Sequence, residues 1–301
     1  MTFDAESGAS CGCGGGFDPP ARRGYYSWIM SRRTLLGWSA VAAAGWLLAA
    51  CGPPLVARSP EALYALAEQQ IASANYSPAA DTLARAVLAG PESEPARRAR
   101  VVRLALLGGM ARGYQQVGES YLAGSKSPGA AAYSSQMRTM ALDYFGRARS
   151  VSLEMMDALD RMRREPLDPL GVQLVLPAGP AAERAVLARV RRGEWVEDAV
   201  RLRAERAEVG EQIRQVLAGF AGTGGPAVDP AALYLAAARE LVTLSGIFGP
   251  EALREPRSVR LYHERALQLA ERAGELAAGR PPLLEESARL QALCRDALTQ
   301  P

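Results

Sequence analysis

From Ser59 to the end of the chain, apolar residues recur at intervals of three and four within segments rich in Ala, Leu, Arg and Glu. That period keeps one face of a helix apolar, and the residue types are strong helix formers. The pattern predicts helices over 59–75, 77–90, 95–123, 135–164, 180–192, 194–221, 230–247, 256–278 and 282–298. Glycine and proline separate them at Gly90-Pro91, Gly124 to Gly129, Pro166 to Pro180, Gly222 to Pro230, Gly249-Pro250 and Gly279 to Pro282. The one run with strand character, Val172-Gln173-Leu174-Val175-Leu176, is too solitary to build a sheet. The expected fold class is therefore all-α, made of antiparallel helix pairs.

The first pair carries a repeat pattern in Pro60, Leu63, Leu66, Ala67, Tyr76, Ala79, Leu83, Ala86 and Pro91. It resembles the tetratricopeptide repeat, a helix–turn–helix unit of about 34 residues. Small Ala67 and Ala79 let the two helices cross closely, Leu63 and Leu83 fill the gaps, and Pro91 stops the second helix. Gln70 stands where that family usually has Tyr. Later stretches match in part. Leu104, Leu107 and Gly108 look like a first helix, and Ala141, Phe145 and Ala148 like a second, with an insertion between them that includes Leu122 to Gly129. Gly193 to Ala199 looks like an interhelix turn, and Tyr262 to Leu269 like a second helix for Leu233, Ala236 and Ala237. The resemblance implies antiparallel pairs stacked as a degenerate tetratricopeptide-like solenoid. It would form a single domain over 51–301, with irregular breaks near 166–180 and 222–230.

The pattern before Ser59 differs. Ser31-Arg32-Arg33-Thr34-Leu35-Leu36 resembles the twin-arginine export motif, with Gly37 where the family often has Lys. The apolar run from Leu35 to Ala50 is shorter than the roughly 18 residues of a spanning helix. It ends Leu48-Ala49-Ala50-Cys51-Gly52, which resembles a bacterial lipobox. In that family the cysteine thiol is acylated and the chain is cut before it, because only a thiol makes the thioether and small residues fit the peptidase. Residues 1–50 then read as an export signal, with Met30 offering a second start, and Cys51 as the lipid attachment point. Several acyl chains at about 0.8 kcal/mol per buried methylene hold such a protein on its membrane. Gly52 is not the aspartate that retains many lipoproteins on the inner membrane, so the outer membrane is the expected site if the host has one.

Composition narrows the chemistry further. The net charge of +3 is too small to argue for nucleic acid. Only one of the 35 basic residues is lysine, Lys126, which points to a GC-rich coding sequence more than to binding chemistry. With Cys11 and Cys13 in the leader and Cys51 acylated, Cys294 is left without a disulfide partner and reads as a buried thiol. A single histidine, His263, rules out a two-histidine metal site, and it falls on an inward-facing helical position. The sequence has no phosphate-binding loop, dinucleotide fingerprint or nucleophile elbow. Adjacent Glu285 and Glu286 point about 100° apart on a helix and so do not form a convergent acid pair. No catalytic residue, metal ligand or cofactor is expected.

Two features remain as candidate binding surfaces. Leu107, Met110, Tyr114, Val117 and Tyr121 form a stripe flanked by Gly108, Gly109, Gly113 and Gly118. It reads as core packing with small residues allowing close helix approach, or as a groove lined by Tyr114 and Tyr121. The clusters Arg97-Arg98-Ala99-Arg100 and Arg161-Met162-Arg163-Arg164 read as solvated faces, or as surfaces drawn to anionic lipid headgroups. The leading expectation is a lipid-anchored, extracytoplasmic scaffold of the bacterial cell envelope that binds a protein or peptide, with homo-oligomerisation open to it. The alternatives are an accessory ligand-binding subunit of a tripartite periplasmic transporter, and an envelope hydrolase using carboxylates distant in sequence.

Overall fold

Ser59 opens the first helix by accepting a hydrogen bond from the Ala62 amide at 3.3 Å. Pro60 follows at the first helical position, where its missing N–H is no loss. The computed structural model describes residues 59–162, 170–172, 174–177, 179, 181–221 and 227–299. The twin-arginine pair Arg32 and Arg33, the cysteine Cys51 and the rest of the leader lie outside them. Helix α1 (Pro60–Ala72) turns through Ala74, which takes a left-handed φ of 55°, into α2 (Tyr76–Ala89). Ser93 caps α3 (Glu94–Ser125) through the Ala96 amide, and α4 (Ser134–Met162) returns alongside it. Then come α5 (Ala181–Arg191), α6 (Asp198–Ala221) and α7 (Pro230–Leu244), the last capped by Asp229 through the amides of Ala231 and Ala232 at 2.8 and 3.2 Å. A 3₁₀ turn, Ser245–Phe248, leads towards α8 (Pro256–Leu276) and α9 (Pro281–Thr299).

The molecule is all-α, as the periodicity predicts, and each helix among the described residues corresponds to one predicted segment. The only sheet among them is one antiparallel pair, β1 (Leu170–Gly171) with β2 (Ala227–Val228). It joins the described residues of one irregular break to those of the other. The described part of the Val172 to Leu176 run forms no strand.

Packing follows the predicted pairs at both ends of the chain and departs from a simple stack in the middle. α1 and α2 bury Leu63, Ala67, Tyr76, Ala79, Leu83 and Ala86 between themselves and α3, the face that the repeat pattern selects. α7, α8 and α9 pack in chain order. Helix α3, however, packs most extensively on α4 and next on α6, two helices further on. The reason lies in its glycines. A methyl at Gly113 would stand 2.8 Å from Val209 Cα, and one at Gly109 would stand 2.5 Å from the Ile213 amide nitrogen. Only hydrogen fits, and its absence of bulk lets the backbones of α3 and α6 touch. The stripe beside these glycines is core: Leu107, Met110, Val117 and Tyr121 are all buried.

One break starts later than the sequence predicts. The stretch expected to separate helices from Gly124 to Gly129 is helical in its first two residues, because α3 runs on to Ser125 with Gly124 buried against the Val190 carbonyl. Lys126 follows the end of α3 and pairs with Glu251 at 2.7 Å, both side chains remaining exposed to solvent. The segment Pro230–Phe248 has a mean hydropathy of 1.4, and 72% of it is buried in the fold, as befits a core helix.

Candidate functional site

Helices α3 and α4 run antiparallel, with Arg103 meeting Glu154 at 2.5 Å near one end and Tyr121 stacking on Tyr144 further along. The start of α3 therefore lies beside the end of α4, and α2 packs on α3. A cavity of about 390 Å³ opens there. Its lining is largely apolar: Ala84, Val87 and Leu88 from α2, Leu104 from α3, and Ala158 and Met162 from α4. Leu104 and Met162 are buried, whereas Leu88 stands 77% exposed at the mouth. The charged lining comes from Arg100, Arg103 and Arg161. Arg100 and Arg161, one from each arginine cluster of the sequence, thus contribute to one site from different helices, while Arg163 and Arg164 lie outside the described residues. A volume of this size falls within the range of about 300–1,000 Å³ typical of small-molecule pockets.

The guanidiniums are engaged to different extents. Arg100 donates to the Pro91 carbonyl at 2.6 Å. Arg103 gives one terminal nitrogen to Glu154, and its Nε is buried without an acceptor. Arg161 is exposed and has no ion-pair partner among the described residues. Each guanidinium carries five N–H donors and stays charged at any working pH, so Arg103 and Arg161 keep donors to spare.

The two tyrosines expected to line a groove separate. Tyr121 is buried, stacked on Tyr144 with ring centroids 5.9 Å apart, and burial pushes its phenol pKa up to about 12. Tyr114 is half-buried and edges an open depression shared with Met110, Leu142, Asp143, Gly146 and Arg147. Between the two sits Tyr144, whose hydroxyl donates to Glu205 Oε2 at 2.8 Å while the Arg147 guanidinium lies 5.2 Å from its ring centroid. Burial first, and then the Glu205 carboxylate, hold the Tyr144 phenol well above its ordinary range. Of the expected pair, only Tyr114 reaches an open surface.

A third feature escapes the sequence reading. Trp195 and Tyr133 stack with centroids 5.5 Å apart while remaining 39% and 42% exposed. Local structure sets the pair. Gly193, at a left-handed φ of 88°, ends α5 and turns the chain so that Trp195 emerges, with the Glu194 amide reaching back to the Arg189 carbonyl at 3.2 Å. Ser127 donates to the Arg192 carbonyl at 2.8 Å and ties the Tyr133 segment to that turn. The periodicity places Trp195 in the helix predicted over 194–221, whereas α6 begins at Asp198, so both residues stand outside the helices.

The remaining singletons are structural in their placement. His263 is 8% exposed and shares a hydrogen bond with Ser245, and Cys294 is fully buried, which raises its thiol pKa. Glu286 pairs with Arg239 at 3.2 Å, away from Glu285. Among the described residues no three of His, Cys, Asp and Glu gather as metal ligands would. Comparison with protein-family models, with curated proteins and with solved structures gives no match to this chain.

Proposed function

We propose that this chain is a lipid-anchored, extracytoplasmic scaffold of the bacterial cell envelope that binds a protein or peptide. The lipobox-like run ending at Cys51 and the twin-arginine-like pair Arg32-Arg33 support the location. The observation that carries the binding role is the stacked, half-exposed Trp195–Tyr133 pair. Rigid aromatic rings presented at a surface lose little conformational freedom on binding and are enriched among the residues that dominate interface energies. In an envelope pull-down after mild crosslinking, the wild-type chain should recover a reproducible protein partner, and Trp195→Ala should lose it while keeping the fold. No reproducible partner, or one that survives Trp195→Ala, would refute the role.

Location is tested separately. Arg32→Lys with Arg33→Lys should abolish export, and Cys51→Ala should yield an unlipidated or uncleaved form; export surviving the double replacement sinks the twin-arginine assignment. A second reading, an accessory ligand-binding subunit of a tripartite transporter, is favoured by the arginine-edged cavity. A thermal-shift screen over organic acids and hydrophobic ligands checks it, since a ligand at a hundred times its Kd stabilises a protein by about 2.7 kcal/mol.

A further inference from the structure

The cavity between α2, α3 and α4 has two chemically distinct parts in one space. The floor of Val87, Leu104, Ala158 and Met162 offers hydrocarbon contact, and Arg100, Arg103 and Arg161 supply charge of one sign. A small hydrophilic anion would leave the floor in contact with water, and a plain hydrocarbon would make no use of the charged edge. A ligand with a carboxylate or phosphate head and a hydrocarbon chain satisfies both parts. The geometry of the head site fits such an oxyanion, because guanidinium N–H groups pair two at a time with its oxygens. Arg103 contributes the most constrained donor: its side chain is 12% exposed, its far end is held by Glu154, and its Nε is buried without an acceptor. Leu88, exposed at the mouth, extends the apolar track outward for a chain longer than the cavity.

We propose that this cavity binds an anionic amphiphile, its head on Arg100, Arg103 and Arg161 and its chain along Val87, Leu104, Ala158 and Met162. The inference rests on the ligand-binding reading above and gives that reading a ligand class. Each methylene that enters the cavity should tighten binding about three- to fourfold, until the cavity is filled.

The test is titration calorimetry on the full chain carrying Cys51→Ser, so that no acyl chain of its own competes. The ligands are decanoate, dodecanoate and dodecyl phosphate below their micellar concentrations, with monododecanoylglycerol as the uncharged comparison. Dodecanoate or dodecyl phosphate should bind one to one, tighter than decanoate and at least tenfold tighter than the glyceride. Arg103→Gln with Arg161→Gln should weaken the anions at least tenfold, and Lys126→Gln, remote from the cavity lining, should not. Ala158→Phe, which takes up part of the cavity and keeps every arginine, should weaken the dependence on chain length; matching circular dichroism melts establish that each variant is folded. If the glyceride binds as tightly as dodecanoate, or the double arginine variant binds the anions unchanged, the anionic class is wrong and the ligand-binding reading stands. If none of the four ligands binds, both fall. Co-sedimentation with phosphatidylglycerol and phosphatidylcholine vesicles identifies the source. Arginine-dependent recruitment to the former alone, displaced by dodecanoate, supports an anionic bilayer lipid, and binding of dodecanoate without vesicle recruitment supports a free amphiphile.

Discussion

Replacing Gly109 by alanine probes the close backbone approach of α3 to α6. The added methyl would stand 2.5 Å from both the Ile213 amide nitrogen and Ile213 Cγ1. Non-bonded heavy atoms settle at about 3.5–4.0 Å, so α6 has to retreat by about 1 Å. A close-packed interior does not yield that distance without strain. Alanine gains about 1 kcal/mol of helix propensity over glycine. Overpacking costs about 3 kcal/mol, the upper end of its usual range, because the obstacle is backbone and not the tip of a flexible side chain. The net loss of about 2 kcal/mol lowers Tm by about 4–8 °C for a chain of this size. Gly146 on α4 is the matched control, since a methyl there meets nothing within 4 Å. Gly146→Ala should therefore raise Tm by about 2–4 °C through propensity alone. Thermal and urea melts followed by circular dichroism measure both. A Gly109→Ala chain that melts at or above wild type, or two variants that shift in the same direction, would refute the backbone contact between α3 and α6.

Two further perturbations address the polar interior. Ser245 Oγ donates to the Val242 carbonyl at 2.7 Å and so accepts from His263 Nε2 at 3.3 Å, which leaves Nδ1 buried and unpartnered. Burial lowers the imidazole pKa below its ordinary 6.5. The unfolded chain then takes up its proton first, so this contribution to stability is whole above about pH 6.5 and is lost as the pH falls towards the folded pKa. His263→Gln should flatten that decline in urea melts between about pH 7 and 5, and parallel wild-type and variant profiles would contradict the assignment. Tyr144→Phe removes the hydroxyl that donates to Glu205, a hydrogen bond to a charged acceptor whose side chain is 12% exposed. The expected cost is about 2 kcal/mol, read as a lowered Tm; an unchanged Tm would show that water replaces the hydroxyl freely.

The helices are legible in the sequence because their signals are local. Ser59-Pro60 and Ser93 with Pro95 start helices, Gly193 and Gly279 follow their ends, and spacing of three and four fills the intervals. What joins them is not local. The glycine row of α3 announces a close neighbour, but nothing near Gly109 or Gly113 identifies Ile213 and Val209 of α6 as that neighbour. The same holds for Trp195 and Tyr133, which meet only because Ser127 ties one loop to another.

The arginine cavity belongs to the same class, with one difference: a local anomaly points to it. Arg97, Arg98 and Arg100 crowd the N-terminal turns of α3, the positive end of its dipole. Cations near a helix N-terminus are disfavoured by about 0.3–1 kcal/mol each. Glu94 offsets part of this by pairing with Arg98 at 2.5 Å, and Arg103 finds Glu154 across the helix interface. Arg100 faces the cavity with Arg161, and no carboxylate among the described residues contributes to its lining. Arg161 suits its own helix, lying in the last turn of α4, so the unfavourable placement is on the α3 side alone, at Arg97 and Arg98. Charge of one sign gathered at the start of a helix is where a local rule has been broken. A bound anion would be favoured by that charge, and only because antiparallel α3 and α4 bring the two helix ends together.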